Sequence, residues 1–120
     1  MLVLLANEPR MYREAFAVSF AAARPNVGTI TVEPGALDRE ALRLRPDLVV
    51  CNRATTTVKA VVRSWIELRV ENGMLVANSN VGALPADKNV EFRDLLSIID
   101  RTEKRLHWKS LRQGKAGPVR

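Results

Sequence analysis

The feature that most constrains the fold is a pair of short, uninterrupted apolar runs, Leu2–Ala6 and Leu48–Cys51, each followed by an asparagine. A run without alternation is typical of a strand covered on both faces, as in a parallel sheet. Between these two runs, a further strand rich in β-branched residues is predicted over residues 27–33. Segments with helical spacing lie between these strands. The alternation predicts an α/β fold in three layers, whose first three strands are parallel and joined by right-handed crossovers.

Two helices are predicted between the strands. Asn7-Glu8-Pro9 is typical of a helix start, because proline suits the first helical turn. The first helix, residues 10–23, should bury one stripe of side chains. That stripe comprises Tyr12, Ala15, Phe16, Ser19, Phe20 and Ala23. A shorter second helix is indicated by Leu37, Ala41 and Leu44.

The second half of the chain shows a hairpin signal. Apolar and charged residues alternate from Ile66 to Glu71, and Asn72-Gly73 separates them from the apolar-rich run 74–78. Asn-Gly suits a type I′ turn, which needs positive φ at both positions. Such a turn pairs Val70 with Leu75, and it predicts that the last two strands form a β-hairpin and that this half of the sheet is antiparallel.

The remaining segments set the boundaries of the domain. Residues 53–64 combine a threonine run, which favours a strand or turn, with helical spacing of valines; we favour a short helix with a threonine near its N-cap. A last helix runs from about Val90 to beyond Leu106. We expect one domain over residues 1–112, with a basic end to its C-terminal helix, and a flexible tail over 113–120.

The positive charge of the chain is confined to its end. The net charge is +6, yet residues 1–100 hold 12 basic and 12 acidic side chains. A whole-domain affinity for nucleic acid is therefore not indicated. The single cysteine excludes an internal disulfide and any multi-cysteine metal site, and a cytoplasmic location follows. The apolar N-terminal run is too short for a membrane span or a signal-peptide core.

Two stretches, residues 4–16 and 45–52, resemble the receiver domain of bacterial two-component response regulators. The first is similar to a receiver's first strand, acidic loop and first helix, and the second, Arg45-Pro46-Asp47-Leu48-Val49-Val50-Cys51-Asn52, to its third strand. The likeness covers about residues 1–55. It implies a flavodoxin-like or receiver-like sheet closed by a C-terminal helix.

The resemblance also implies where chemistry would occur. A working receiver holds magnesium with two acidic residues after the first strand and one after the third, and the third-strand aspartate accepts the phosphate. Here those positions fall on Asn7, Glu8 and Asn52. An amide cannot form the mixed anhydride, and Mg²⁺ prefers anionic oxygens. The chain is therefore expected to be a pseudo-receiver that is not an enzyme, binds no metal or cofactor and is not phosphorylated.

Each candidate residue also has a structural interpretation. Asn7, Glu8, Asn52 and Arg53 would line a ligand crevice between the first and third strands, or the asparagines would cap backbone and Glu8 would be a first-turn charge. Cys51, one residue inside the strand end, should be a small buried side chain. His107, the only histidine, has no partner for metal binding or catalysis.

The end of the last helix is the other candidate site. Its basic and aromatic residues form a contact patch. The patch comprises Arg101, Lys104, Arg105, Trp108, Lys109 and Arg112. It would contact an acidic protein, nucleic acid or an anionic membrane surface, or it would be a solvated helix end favoured by the helix dipole.

The sequence is compatible with three functions. The first is a signalling or regulatory module that acts by contact with a protein, either a separate partner or a second copy in a homodimer. The second is a module that binds a small anion or nucleotide in the crevice. The third is nucleic-acid binding through the basic segment.

Overall fold

The computed structural model describes residues 1–82 and 89–116, with side chains up to residue 107. It is an α/β fold built on a five-stranded mixed sheet in the order β2-β1-β3-β4-β5. The strands are β1 (Leu2–Ala6), β2 (Gly28–Thr31), β3 (Leu48–Cys51), β4 (Ser64–Glu71) and β5 (Met74–Ser79). The α-helices are α1 (Arg10–Ala23), α2 (Leu37–Leu44), α3 (Thr56–Val61) and α4 (Phe92–Ala116).

The helices cover both faces of the sheet, which makes three layers. On one face, Phe20 of α1 and Leu95 and Ile99 of α4 join a buried cluster with side chains of every strand except β2. On the other face, Ala41 of α2 and Val58 of α3 pack against alternate residues of β1 and β3. Strands β1 and β3 contribute to both clusters, which explains why their sequences are apolar without alternation.

The central strands are parallel and only the last strand is reversed. β1 pairs in parallel with β2 and β3, as predicted, and β3 also pairs in parallel with β4. The prediction that the second half of the sheet is antiparallel is therefore wrong for β4. Helix α3 is the reason, because this crossover returns the chain to the starting edge of the sheet. Thr55 caps α3 by accepting a hydrogen bond from the Val58 amide at 3.0 Å, so residues 53–64 hold a short helix.

The hairpin prediction is confirmed in position and register. Asn72 and Gly73 both have positive φ, at 52° and 74°, and Val70 lies opposite Leu75. The outer side of β5 is partly occupied, because the Leu75 amide donates to Asn89 Oδ1 at 2.7 Å and its carbonyl accepts from the Val90 amide at 2.8 Å. Thus β5 is the last strand of the sheet over the described residues.

Two helices differ from the sequence prediction. Helix α1 buries Arg13 and Phe20, whereas Ala15 and Ser19 are exposed, so the prediction for its buried face is wrong at these two positions. The buried face includes Arg13, whose guanidinium bonds to the Asn7 carbonyl after β1 and to Glu33 after β2. Helix α4 continues to Ala116, four residues into the segment predicted as a flexible tail, and residues 117–120 lie outside the described part.

The apolar N-terminal run forms β1. Over the described residues, none of the helices combines the length and the apolar character that crossing a bilayer would require.

Candidate functional site

The residues after β1 and β3 meet at the carboxyl edge of the sheet. β1 and β3 are adjacent, with Ala6 opposite Cys51, so the next residue of each strand, Asn7 and Asn52, is placed side by side. Asn7 is 1% exposed, Asn52 is half-buried, and Glu8 is exposed. In an open α/β sheet, this edge beside a change in strand order is where ligands bind.

Asn52 links the two loops through both ends of its amide. Its Oδ1 accepts from the Glu8 backbone N–H at 3.1 Å, and its Nδ2 donates to the Glu8 carbonyl at 3.3 Å. Only a side chain with both a donor and an acceptor makes this pair. A carboxylate would keep the first bond and lose the second. The amide at this position is therefore a structural tie between the loops after β1 and β3.

Asn7 extends the connection to β4. Its Nδ2 donates to the Leu68 carbonyl at 2.9 Å and more weakly to Asn52 Oδ1 at 3.4 Å. Its own Oδ1 is buried and has no hydrogen-bond partner among the described residues. A buried carbonyl oxygen without a donor costs free energy, so this atom is the one unsatisfied acceptor of the described part of the crevice.

A buried arginine supports the loop after β1 from below. Arg13 is 5% exposed, and its Nη1 donates to the Asn7 carbonyl at 3.1 Å. Its Nη2 donates to Glu33 Oε1 at 3.0 Å. Arg13 thus connects α1 to the residues that follow β1 and β2. Sequence reasoning missed it, although its spacing of three and seven residues from Phe16 and Phe20 places it on the buried stripe.

Charged side chains of β4 border the site. Glu67 Oε2 accepts from the Ala54 amide at 2.8 Å, and Arg69 Nη1 donates to the Asn52 carbonyl at 3.4 Å. Arg53 is exposed and makes no side-chain hydrogen bond to another described residue. Asn7, Glu8 and Asn52 thus lie together at this edge of the sheet, and Arg69, which sequence reasoning missed, borders them.

Cys51 is a buried residue, as the sequence predicts. It is 2% exposed, and burial, reinforced by the negative charge of Glu67, raises the pKa of its thiol from the ordinary 9.0 to about 12. A thiol with such a pKa is protonated at neutral pH, and the thiolate is the nucleophilic form. Cys51 is therefore a packing residue of the cluster beneath α2 and α3.

The donors of the crevice are mainly amides and backbone groups. Over the described residues, no group of three or more histidine, cysteine, aspartate or glutamate side chains is arranged to hold a metal ion. The arrangement can bind through hydrogen bonds to neutral or weakly charged groups.

The predicted basic patch is described only in part. Arg101, Lys104 and Arg105 are exposed on α4, and Arg105 lines a cavity with Arg45 and Arg63. His107 is also exposed, beside Lys104 on another part of the surface. The side chains of Trp108, Lys109 and Arg112 lie outside the described residues.

No protein-family model, curated protein or solved structure matches this chain. Its function is therefore inferred from its own residues.

Proposed function

We propose that the chain is a non-catalytic, receiver-like module that acts in bacterial two-component or related signalling by contact with a protein and is not phosphorylated. The observation that carries this proposal is the two-way bond between the Asn52 amide and the Glu8 backbone. The position that would accept phosphate in a receiver is used here to join two loops. An acceptor carboxylate would weaken this link, because it cannot donate to the Glu8 carbonyl.

The strand order supports the receiver-like part of the proposal. In the order β2-β1-β3-β4-β5, the chain changes direction across the sheet between β1 and β3. Flavodoxin-like folds share this order, and their ligands bind at the β1/β3 switch point. Asn7 and Asn52 stand at that point. β5 differs from the fifth strand of such folds, because it is antiparallel to its neighbour and theirs is parallel.

The reversal of β5 also supports the loss of chemistry. β5 ends at Ser79, which lies opposite Ile66 near the start of β4 and thus near the amino edge of the sheet. In the receivers that this chain resembles, a lysine follows a parallel fifth strand and reaches this edge of the sheet, whereas here a residue after Ser79 starts from the opposite edge. The sheet therefore brings Asn7, Glu8 and Asn52 together without a fifth strand that would carry the cation of a phosphorylated receiver to them.

The exposed basic residues of α4 support a protein partner. Lys104 and Arg105 are exposed, and the last fully buried side chain among the described residues of α4 is Thr102. Beyond Thr102, the side chains of Lys104, Arg105 and His107 are exposed, and the helix itself continues to Ala116. Such a helix suits an acidic protein surface, and complementary charge accelerates association.

The absence of phosphorylation is tested with a small phosphodonor. Wild type and Asn52→Asp are incubated with acetyl phosphate and Mg²⁺, and the intact mass is measured, with an active receiver as a positive control. We expect no added phosphoryl group on either protein, because position 7 carries an amide and the introduced carboxylate would lack the pair of acidic residues that holds magnesium after the first strand of a receiver. A Mg²⁺-dependent acyl phosphate on the wild type would refute the proposal.

The contact with a protein is tested by charge reversal. Lys104→Glu and Arg105→Glu are combined and compared with Arg39→Glu, which changes an exposed arginine of α2. We expect proteins retained by the wild type and by the α2 variant to be lost from the α4 variant. Equal retention by all three would show that α4 is not the contact surface.

The buried Asn7 Oδ1 favours a second candidate, a small-ligand module at the crevice. An unsatisfied acceptor next to the β1/β3 switch point could receive a donor from a ligand once the 3.4 Å contact with Asn52 opens. A thermal-shift screen of nucleotides and metabolites tests it, because a ligand that binds the native state raises Tm. Stabilisation of the wild type that disappears in Asn7→Leu would support this candidate, and no stabilisation by any compound would exclude it.

A further inference from the structure

A cavity lies at the opposite edge of the sheet from the crevice. It has a volume of about 240 Å³ and lies between the amino ends of β3 and β4, under α4. Arg45 and Asp47 precede β3, Arg63 precedes β4, and Arg105 approaches from α4. Three separate parts of the chain therefore bring an arginine to one concave site.

The charges around this cavity are not balanced. Three guanidinium groups line it against one carboxylate, that of Asp47, whose Oδ2 already accepts the Leu2 amide at 2.8 Å. Over the described residues, Arg45, Arg63 and Arg105 take part in none of the ion pairs, which all involve other arginines. Like charges around a shared cavity repel one another, so an anion between them relieves an unfavourable interaction.

Arg45, one of the three arginines, adopts a backbone conformation that is uncommon for a residue with a Cβ. Arg45 follows α2 in the left-handed region, with φ 48° and ψ 60°. Glycine is the usual residue at this helix end, and a residue with a Cβ there costs on the order of 1 kcal/mol. Strained residues of this kind concentrate at ligand sites. At Arg45 an arginine therefore occupies a left-handed position where glycine would cost less conformational free energy.

We propose that this cavity binds the phosphate group of a small molecule, with Arg45, Arg63 and Arg105 as its ligands. Guanidinium groups pair with phosphate oxygens through two parallel hydrogen bonds, and several of them together match a doubly charged anion. The cavity is large enough for a phosphate and a short organic group and is smaller than typical pockets for drug-sized ligands. The concave shape favours this ligand class over a nucleic-acid backbone.

This site goes beyond the proposed function and is separate from the crevice at Asn52, although Arg105 also belongs to the surface of α4 that is proposed to contact a protein. The crevice at Asn52 and the arginine cavity lie at opposite ends of β3, so a variant of one leaves the residues of the other in place. Phosphate binding at the cavity would give the module a small-molecule input. It is a binding event without transfer of the phosphoryl group.

The test measures thermal stability and binding of phosphate compounds by the full chain. Inorganic phosphate and glycerol phosphate are titrated at constant ionic strength, kept with NaCl, and binding is measured by calorimetry. At about ten times Kd we expect Tm to rise by about 5 °C. Arg63→Gln and Arg105→Gln should each weaken binding about tenfold, since each removes charge-assisted hydrogen bonds. Arg39→Gln removes the same charge outside the cavity and should bind as the wild type does.

The relative affinities for the two phosphate compounds distinguish a site for free phosphate from a site for a phosphate ester. Equal affinity for both indicates a site for the phosphate group itself, and tighter binding of glycerol phosphate indicates a phosphomonoester. The proposal is overturned if neither compound binds or if the Arg39 variant weakens binding as much as the Arg63 variant. It is also overturned if only a DNA oligonucleotide binds, with an affinity that falls steeply with salt, because the arginines would then form a surface for a nucleic-acid backbone.

Discussion

Asn52 and Glu8 are hydrogen-bonded in both directions, since the amide of Asn52 accepts from the Glu8 N–H at 3.1 Å and donates to the Glu8 carbonyl at 3.3 Å. The two residues are 44 positions apart in the chain. The pair therefore fixes the relative position of the loops after β1 and β3. It also means that the chemical identity of residue 52 affects folding as well as any binding at this edge.

Replacement of Asn52 by aspartate should destabilise the fold. The carboxylate cannot donate to the Glu8 carbonyl, and it brings a negative charge against that oxygen. We expect a loss of about 0.5–1.5 kcal/mol in the free energy of unfolding, the usual net contribution of a hydrogen bond, because both bonds to Glu8 are exposed to solvent. Urea denaturation measures it, with Asn26→Asp, an exposed turn residue, as the control. Equal stabilities of the two variants would mean that the bond is not formed in solution.

Arg13 and Glu33 should contribute unequally although they form one ion pair. Arg13→Met leaves the buried Asn7 carbonyl without its donor, and we expect a cost of about 1.5–3 kcal/mol. The Glu33 side chain is 75% exposed, so Glu33→Gln should cost less than about 1 kcal/mol. Denaturant unfolding of the two variants compares them. If Glu33→Gln is the more damaging change, the arginine is held by the ion pair and not by the backbone carbonyl.

Cys51 should make stability depend on pH in the alkaline range. Burial raises the pKa of its thiol from 9.0 in the unfolded chain to about 12 in the native protein. Between these values the native state holds a proton that the unfolded state releases, so stability is complete below pH 9 and decreases towards pH 12. The stability difference between wild type and Cys51→Ala, measured by urea unfolding from about pH 7 to about pH 10.5, should therefore shrink as pH rises. A difference independent of pH would place the thiol in contact with water.

Ser64 should be replaceable by alanine without loss of stability. Its hydroxyl is buried and has no hydrogen-bond partner among the described residues, so the serine bears a desolvation cost that alanine avoids. We expect Ser64→Ala to be neutral or to stabilise by up to about 1 kcal/mol, measured as a shift in the urea midpoint. Thr102→Ala, whose hydroxyl donates to the Ile98 carbonyl at 2.9 Å, is the comparison. A clear loss of stability in Ser64→Ala would reveal a partner for that hydroxyl.

The sheet could be predicted in large part because its strands carry strong local signals. β1 and β3 lie in the centre of the sheet, and burial on both faces leaves an apolar run that is visible without any partner. The turn at Asn72-Gly73 needs two residues with positive φ, and few dipeptides meet that need. The parallel pairing of β4 with β3 was missed because alternation reports the faces of a strand and says nothing of its neighbour's direction.

The sequence predicts that Asn7 and Asn52 lie at the same edge of the sheet, but it does not predict the hydrogen bonds that surround them. Asn7 and Asn52 follow strands whose ends are predictable, so their meeting at one edge followed from topology. The bonds to Arg13, Glu67 and Arg69 depend on the rotation of α1 and on the position of β4. Those are set by packing between distant segments, which composition and spacing in one sequence do not encode.

The engagement of Leu75 has a consequence for self-assembly. Exposed edge strands invite the backbone of another molecule to continue the sheet, and this is a common route to aggregation. Near the start of β5 both backbone groups of Leu75 are already bonded, to Asn89 and Val90. Another strand could pair there only after these two bonds break. Residues 89 and 90, which precede α4, therefore hinder extension of the sheet at this edge.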